Sequence, residues 1–119
     1  MARERRRIRD WMDVPGRFEP GERNAITDVP GVLVGHKTIW KGDSVRTGVT
    51  VIRPHGGDAY HVQTPCAVYA GNGYGKLTGS MQVAELGVLE SMIGLTNTLS
   101  VPQVAQGILM AQQPLMTPG

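Results

Sequence analysis

Apolar and polar positions alternate with two different periods along this chain. Val32 to Trp40 is bounded by Pro30-Gly31 on one side and Lys41-Gly42-Asp43 on the other, and predicts a first strand. Gly48 to Arg53 predicts a second. It holds Val49, Thr50, Val51 and Ile52 in succession, with no polar alternation, which suits a strand covered on both faces. Pro54-His55-Gly56-Gly57-Asp58 stops it. Cys66 to Ala70, entered after Pro65, predicts a third strand, and Met92 to Leu95 a short fourth.

Two segments carry the helical period instead. Ser80 to about Leu86 predicts a helix ended by Gly87, with Ser80 available to cap its first amides. Val101, Val104, Ala105, Ile108 and Leu109 follow the i, i+3, i+4, i+7, i+8 rule and give one apolar stripe over about Val101 to Gln112. Ser100 and Gln103 have capping-box spacing, and Pro102 is tolerated in a first turn. Three or four strands and two helices cover one face of a sheet. They leave its other Val- and Ile-rich face without a partner, so the pattern reads as part of a layered α/β structure.

Composition narrows this reading. The 119 residues hold sixteen glycines and eight prolines, which argues for many turns and against a helical bundle. Aromatics are 5%, so the core must come from aliphatic side chains and Met. One cysteine, Cys66, excludes an internal disulfide and a multi-cysteine metal site, fits a cytoplasmic setting, and reads as a small hydrophobe ahead of its strand. No apolar run approaches the roughly 20 residues of a membrane helix, so no membrane partner is expected. Residues 1–10 carry five arginines against Glu4 and Asp10, a balance of +3, while the rest of the chain has a balance of −1. The basic character is a terminal feature. Nothing downstream interleaves basic and aromatic residues, so no nucleic-acid partner is expected. Residues 1–23 read as a charged extension with a helical turn near Ile8–Met12, and 24–119 as the domain portion.

The segment Gly71-Asn72-Gly73-Tyr74-Gly75-Lys76-Leu77-Thr78-Gly79 places glycine at every second position over its first five residues. Such spacing suits a loop that takes unusual backbone angles or approaches another group closely. It is not a phosphate loop, because Gly75-Lys76 is followed by Leu77 rather than Ser or Thr. Leu95-Thr96-Asn97-Thr98-Leu99-Ser100 is a second polar punctuation after an apolar run. Asn72, Tyr74 and Asn97 are the candidate substrate-binding residues. Each asparagine has two readings, donation to a substrate or an Asx-type turn bond, and Tyr74 lines a pocket or shields a contact. His36, His55 and His61 lack metal-ligand spacing, so no metal or other cofactor is expected.

Five blocks together resemble one family. They are Asn24-Ala25-Ile26-Thr27-Asp28-Val29-Pro30-Gly31-Val32-Leu33-Val34-Gly35-His36, then Arg46-Thr47-Gly48-Val49-Thr50-Val51-Ile52, then Asn72 to Gly79, Glu85-Leu86-Gly87, and Leu95 to Val101. In that order they resemble the L-aminopeptidase/D-esterase-amidase family, which includes β-peptidyl aminopeptidases and nylon-oligomer hydrolases. The resemblance covers residues 24 to about 110, the N-terminal part of the family's precursor. It implies a four-layer α-β-β-α sandwich, incomplete in these residues, and an enzyme that cuts itself before a Ser or Thr. That residue then serves as an N-terminal nucleophile. The implied reaction releases an N-terminal residue from a peptide, amide or ester. The implied partners are a peptide or amino-acid amide substrate, the remaining segment of the same precursor, and further copies in a homo-oligomer.

The resemblance fades after Gln106. The family's acidic amine-binding residue, oxyanion groups and nucleophile come later in its order, so no catalytic residue is carried onto this chain. Gly79-Ser80 offers a Gly-Ser bond, but Ser80 also has a reason to exist as a helix cap. The expectation is a fragment inactive by itself, with a non-catalytic α/β scaffold used in assembly as the alternative.

Overall fold

In a computed structural model of the chain, the structure describes residues 6, 8–13 and 16–115. A 3-10 turn at Ile8–Asp10 stands where the helical turn is expected, and the Arg6 guanidinium lies 5.8 Å from the Trp11 ring centroid. Arg3, Arg5 and Arg7 lie outside the described residues. A second 3-10 turn, Ile26–Asp28, opens the domain portion. Asp28 fixes it by accepting hydrogen bonds from the amides of Arg23 and Ala25, at 3.1 and 3.2 Å.

The centre is an antiparallel hairpin of β1 (Leu33–Lys41) and β2 (Val45–Arg53), in register from Leu33 opposite Arg53 to Lys41 opposite Val45. Its turn uses Gly42 at φ +52°, a left-handed angle that glycine takes without cost. The Arg46 guanidinium locks that turn by donating to the carbonyls of Gly42 (2.6 Å) and Val45 (2.7 Å). A two-residue piece, β3 (Thr64–Pro65), follows. Helix α1 (Ser80–Leu86) leads to β4 (Val88–Leu89), which pairs with β3, and then to β5 (Ile93–Leu95). Strand β5 pairs antiparallel with β2, so the main sheet has the order β1-β2-β5. Helix α2 (Val101–Gln112) and a 3-10 turn at Gln113–Leu115 complete the described elements.

Both helices and both hairpin strands stand where the periodicity predicts them, and β2 is half-buried along almost its whole length, as the central strand of its sheet should be. Cys66 to Ala70 differs. It is extended but is no strand; only the Cys66 amide continues the β3–β4 pairing, donating to the Gly87 carbonyl at 2.9 Å. An apolar run becomes a strand only where a second edge offers hydrogen bonds, and none meets 67–70 here. Cys66 is half-buried rather than fully enclosed.

The caps differ too. Gly79, at φ +82°, is the N-cap of α1, and the Ser80 hydroxyl donates to the Leu77 carbonyl instead of receiving an amide. At α2 the Ser100 side chain makes no cap bond. A 3-10 turn at Thr98–Ser100 precedes the helix, and Asn97 caps that turn by accepting from the Leu99 and Ser100 amides, both at 3.1 Å. At the C-terminal end of α1, Gly87 takes φ +68° and closes the helix as predicted.

Helix α2 sits on one face of the sheet through Val104 and Ile108. A Cβ placed on Gly94 of β5 would lie 2.7 Å from a methyl of each, so the close seat requires glycine there. Side chains alternate along a strand, so this face also carries Gly35 and Val51, the latter opposite Gly94. The opposite face carries Val34, His36, Trp40, Arg46, Thr50 and Leu95. Among the described residues Ala59 is the sole apolar side chain below a tenth exposed, so most apolar surface is only half covered.

Candidate functional site

The uncovered face of the sheet holds an open cleft of about 340 Å³. His36 and Trp40 of β1, Arg46, Thr47 and Thr50 of β2, and Leu95 of β5 line it. The hairpin register builds its contents. Trp40 stands opposite Arg46, whose guanidinium lies 4.8 Å from the indole centroid, a cation–π distance. His36 stands opposite Thr50, and its Nδ1 lies 2.8 Å from the Thr50 hydroxyl. Fourteen residues separate those two, and no short sequence motif marks them; reading the register of two alternating strands is the signal that finds the pair. A hydroxyl within reach of an imidazole is the start of a nucleophile–base arrangement. Among the described residues no hydrogen bond holds Nε2 of His36, so nothing orients the ring as a third member would.

The floor of this cleft is tied to the Thr96-Asn97 corner. The Thr96 hydroxyl donates to the Gly48 carbonyl at 2.9 Å, and the Asn97 amide nitrogen donates to the Thr47 hydroxyl at 2.9 Å. Asn97 therefore satisfies both ends of its side chain within the protein, with Nδ2 on β2 and Oδ1 on the turn before α2. It does not itself line the cleft.

Asn72 and Tyr74 are placed differently. The Tyr74 amide donates to Asn72 Oδ1 at 2.9 Å, an Asx turn. Tyr74 is 88% exposed. Neither residue lines the cleft, and among the described residues no hydrogen bond links them to Asn97. The structure thus ties Asn97 to Thr47 of β2 without placing it in the cleft lining, and leaves Asn72 and Tyr74 on the glycine-rich loop. Among the described residues no group of three or more His, Cys, Asp or Glu side chains could hold a metal ion. None of their helices is long and apolar enough to cross a membrane.

Comparison with known proteins agrees with this architecture. The model of peptidase family S58 matches residues 24–115. The chain is 38% identical over 115 residues to a beta-peptidyl aminopeptidase, BapA, of Sphingosinicella microcystinivorans, covering 87% of this chain and 28% of that protein. It is 42% identical over 112 residues to BapA of Sphingosinicella xenopeptidilytica, covering 87% of this chain and 27% of the relative. Among solved structures it resembles the PH0078 protein of Pyrococcus horikoshii OT3, with a TM-score of 0.78 and 45% identity, over 83% of this chain and 30% of the other. A beta-aminopeptidase of a Burkholderia species gives a TM-score of 0.73 and 44% identity, over 83% of this chain and 29% of the other. The chain spans less than a third of the length of each of these relatives.

Proposed function

The chain belongs to peptidase family S58, and on that premise we propose that it forms the N-terminal portion of a self-processing aminopeptidase or amidase. The assembled enzyme would release N-terminal residues from peptides, amides or esters. The observation that carries this reading is the match to β-peptidyl aminopeptidases over 87% of the chain but only 27–28% of their length. In this reading the nucleophile, a Ser or Thr freed at an N-terminus, comes from a segment outside these 119 residues. Amide hydrolysis needs a nucleophile, a base and donors aimed at the oxyanion. The His36–Thr50 pair supplies at most the first two, and its ring is not oriented. In this reading the chain by itself is inactive.

The role left to these residues is architectural. The sheet with α2 on one face supplies one α and one β layer of a four-layer α-β-β-α sandwich. Its uncovered face, with Trp40 72% and Leu95 52% exposed, receives the second sheet. Asn72, Tyr74 and Asn97 belong to the substrate-facing wall: Tyr74 offers an exposed ring, and the two asparagines fix the turns that carry it and the cleft. The enzyme assembles as a cytoplasmic homo-oligomer and needs no cofactor.

The test is an assay on amino-acid amides and short peptides, with the chain alone and with the chain co-expressed with the C-terminal remainder of a relative. Turnover in the pair only, with this chain unprocessed, is the expected result. Turnover by the chain alone that Ser80→Ala abolishes would overturn the reading and make Gly79-Ser80 a processing site. A stable pair without turnover would favour the scaffold alternative.

A further inference from the structure

The loop from Pro54 to Val62, between β2 and β3, is closed around one imidazole. The Gly57 amide lies 3.1 Å from Nδ1 of His55, and the Val62 carbonyl lies 2.7 Å from Nε2 of the same ring. An amide N–H can only donate and a carbonyl can only accept. Nδ1 therefore accepts and Nε2 donates, which is possible only for the neutral ring protonated on Nε2. The approach is tight: a Cβ on Gly57 would stand 3.3 Å from Nδ1. The bond from Gly57 back to residue 55 has the geometry of an Asx turn, made here by histidine.

We propose that His55 is a proton-operated latch, which holds the 54–62 loop closed as a neutral imidazole and releases it on protonation. A proton on Nδ1 replaces the acceptor by a second N–H that faces the Gly57 N–H. That bond is then lost, and the loop must move to separate the two hydrogens. Loop closure is complete where the ring is neutral and is lost where Nδ1 carries a proton.

Among the described residues, three neighbours of the ring are identified. Arg53, at the end of β2, is charged and engaged with the Gly56 carbonyl at 2.9 Å. Met92 ahead of β5 and Gln112 of α2 close the same small cavity of about 10 Å³, and neither is charged. Asp58 and His61, further along the loop, meet at 2.7 Å between Oδ2 and Nδ1, with Tyr60 edge-on to the His61 ring.

Release has consequences beyond the loop. The loop carries Ala59, 7% exposed, and it helps to cover Gln112, 6% exposed. The Gln112 Oε1 is buried without a protein partner, while its Nε2 donates to the Glu90 carbonyl at 2.6 Å. Opening hydrates that acceptor, which offsets part of what is lost when Ala59 leaves its contacts.

The test uses the chain with 15N-labelled histidine and a 15N-labelled backbone, observed by NMR between about pH 8 and 5. The ring nitrogens of His55 should report the Nε2–H tautomer at the upper end. Protection of the Gly57 amide, corrected for intrinsic exchange, should fall roughly fivefold to tenfold as His55 titrates, the size expected for one lost hydrogen bond. In His55→Asn the side-chain oxygen takes the place of Nδ1, and Gly57 should stay protected throughout. An Nδ1–H tautomer at the upper end, Gly57 protection unchanged across the His55 titration, or the same step persisting in His55→Asn would each overturn the proposal. If His55→Asn fails to fold, the wild-type tautomer and exchange data decide alone.

Discussion

Gly48→Ala and Gly35→Ala make the same chemical change on paired strands of one hairpin, and the structure assigns them opposite outcomes. A Cβ at Gly48 would run into the backbone carbonyl oxygen of Lys37 and approach the Thr38 Cα to 3.1 Å. Those atoms belong to β1 and are held by the ladder that runs from Leu33–Arg53 to Lys41–Val45, so they cannot swing aside like a side-chain tip. Overpacking of this kind costs about 1–3 kcal/mol. The displaced strand also weakens the Thr96–Gly48 and Asn97–Thr47 bonds, each worth about 0.5–1.5 kcal/mol. Against this, alanine narrows the unfolded ensemble by about 0.4–1 kcal/mol. The net expectation is a loss of about 2–4 kcal/mol. At Gly35 a Cβ meets nothing within 4 Å, and its φ is not in the left-handed region, so only the unfolded-state gain remains. Gly35→Ala should be neutral or stabilising by up to about 1 kcal/mol. Pulse proteolysis across a urea series, at protein concentrations low enough to suppress association through the exposed sheet face, measures both variants against the parent chain. Gly48→Ala unfolding at the parent's urea midpoint would show that β1 yields, and would refute the argument from backbone contact.

Glu90 ties three segments together: its carboxylate accepts from Gln63 and Gln82, both at 2.6 Å, and its carbonyl accepts from Gln112. Glu90→Ala should cost about 1–3 kcal/mol in the same assay, because two bonds to a charged, half-buried acceptor disappear; an effect under about 0.5 kcal/mol would show that water replaces both amides without loss. Asn97→Ala should cost about 1–2 kcal/mol through the lost cap and the lost bond to Thr47, whereas Asn97→Asp, which keeps the accepting oxygen, should cost far less. Equal destabilisation by the two substitutions would place the role of Asn97 in its donor, not its cap.

Some of this protein is written locally. The β-branched succession of β2, the single apolar stripe of α2 and the glycine stop of α1 each follow from side-chain period and backbone freedom within one segment, so sequence alone places them. Five short blocks in order also suffice to indicate the family, and the match over residues 24–115 agrees. The rest depends on which segments meet. Cys66 to Ala70 has strand composition but gains no edge to pair with, so only the folded chain reveals it as irregular. Ser100 has the right spacing to cap α2, yet a 3-10 turn moves the capping task to Asn97, three residues earlier. His36 and Thr50 become neighbours only through strand register, and His55 acquires a fixed tautomer only because a loop folds an amide and a carbonyl onto its two nitrogens. Propensity and period act over a few residues, whereas hydrogen-bond partners come from anywhere in the chain; the sequence alone therefore determined the hairpin strands, the two helices and the family, and the tertiary structure decided which other apolar runs pair, the caps and the chemistry between side chains.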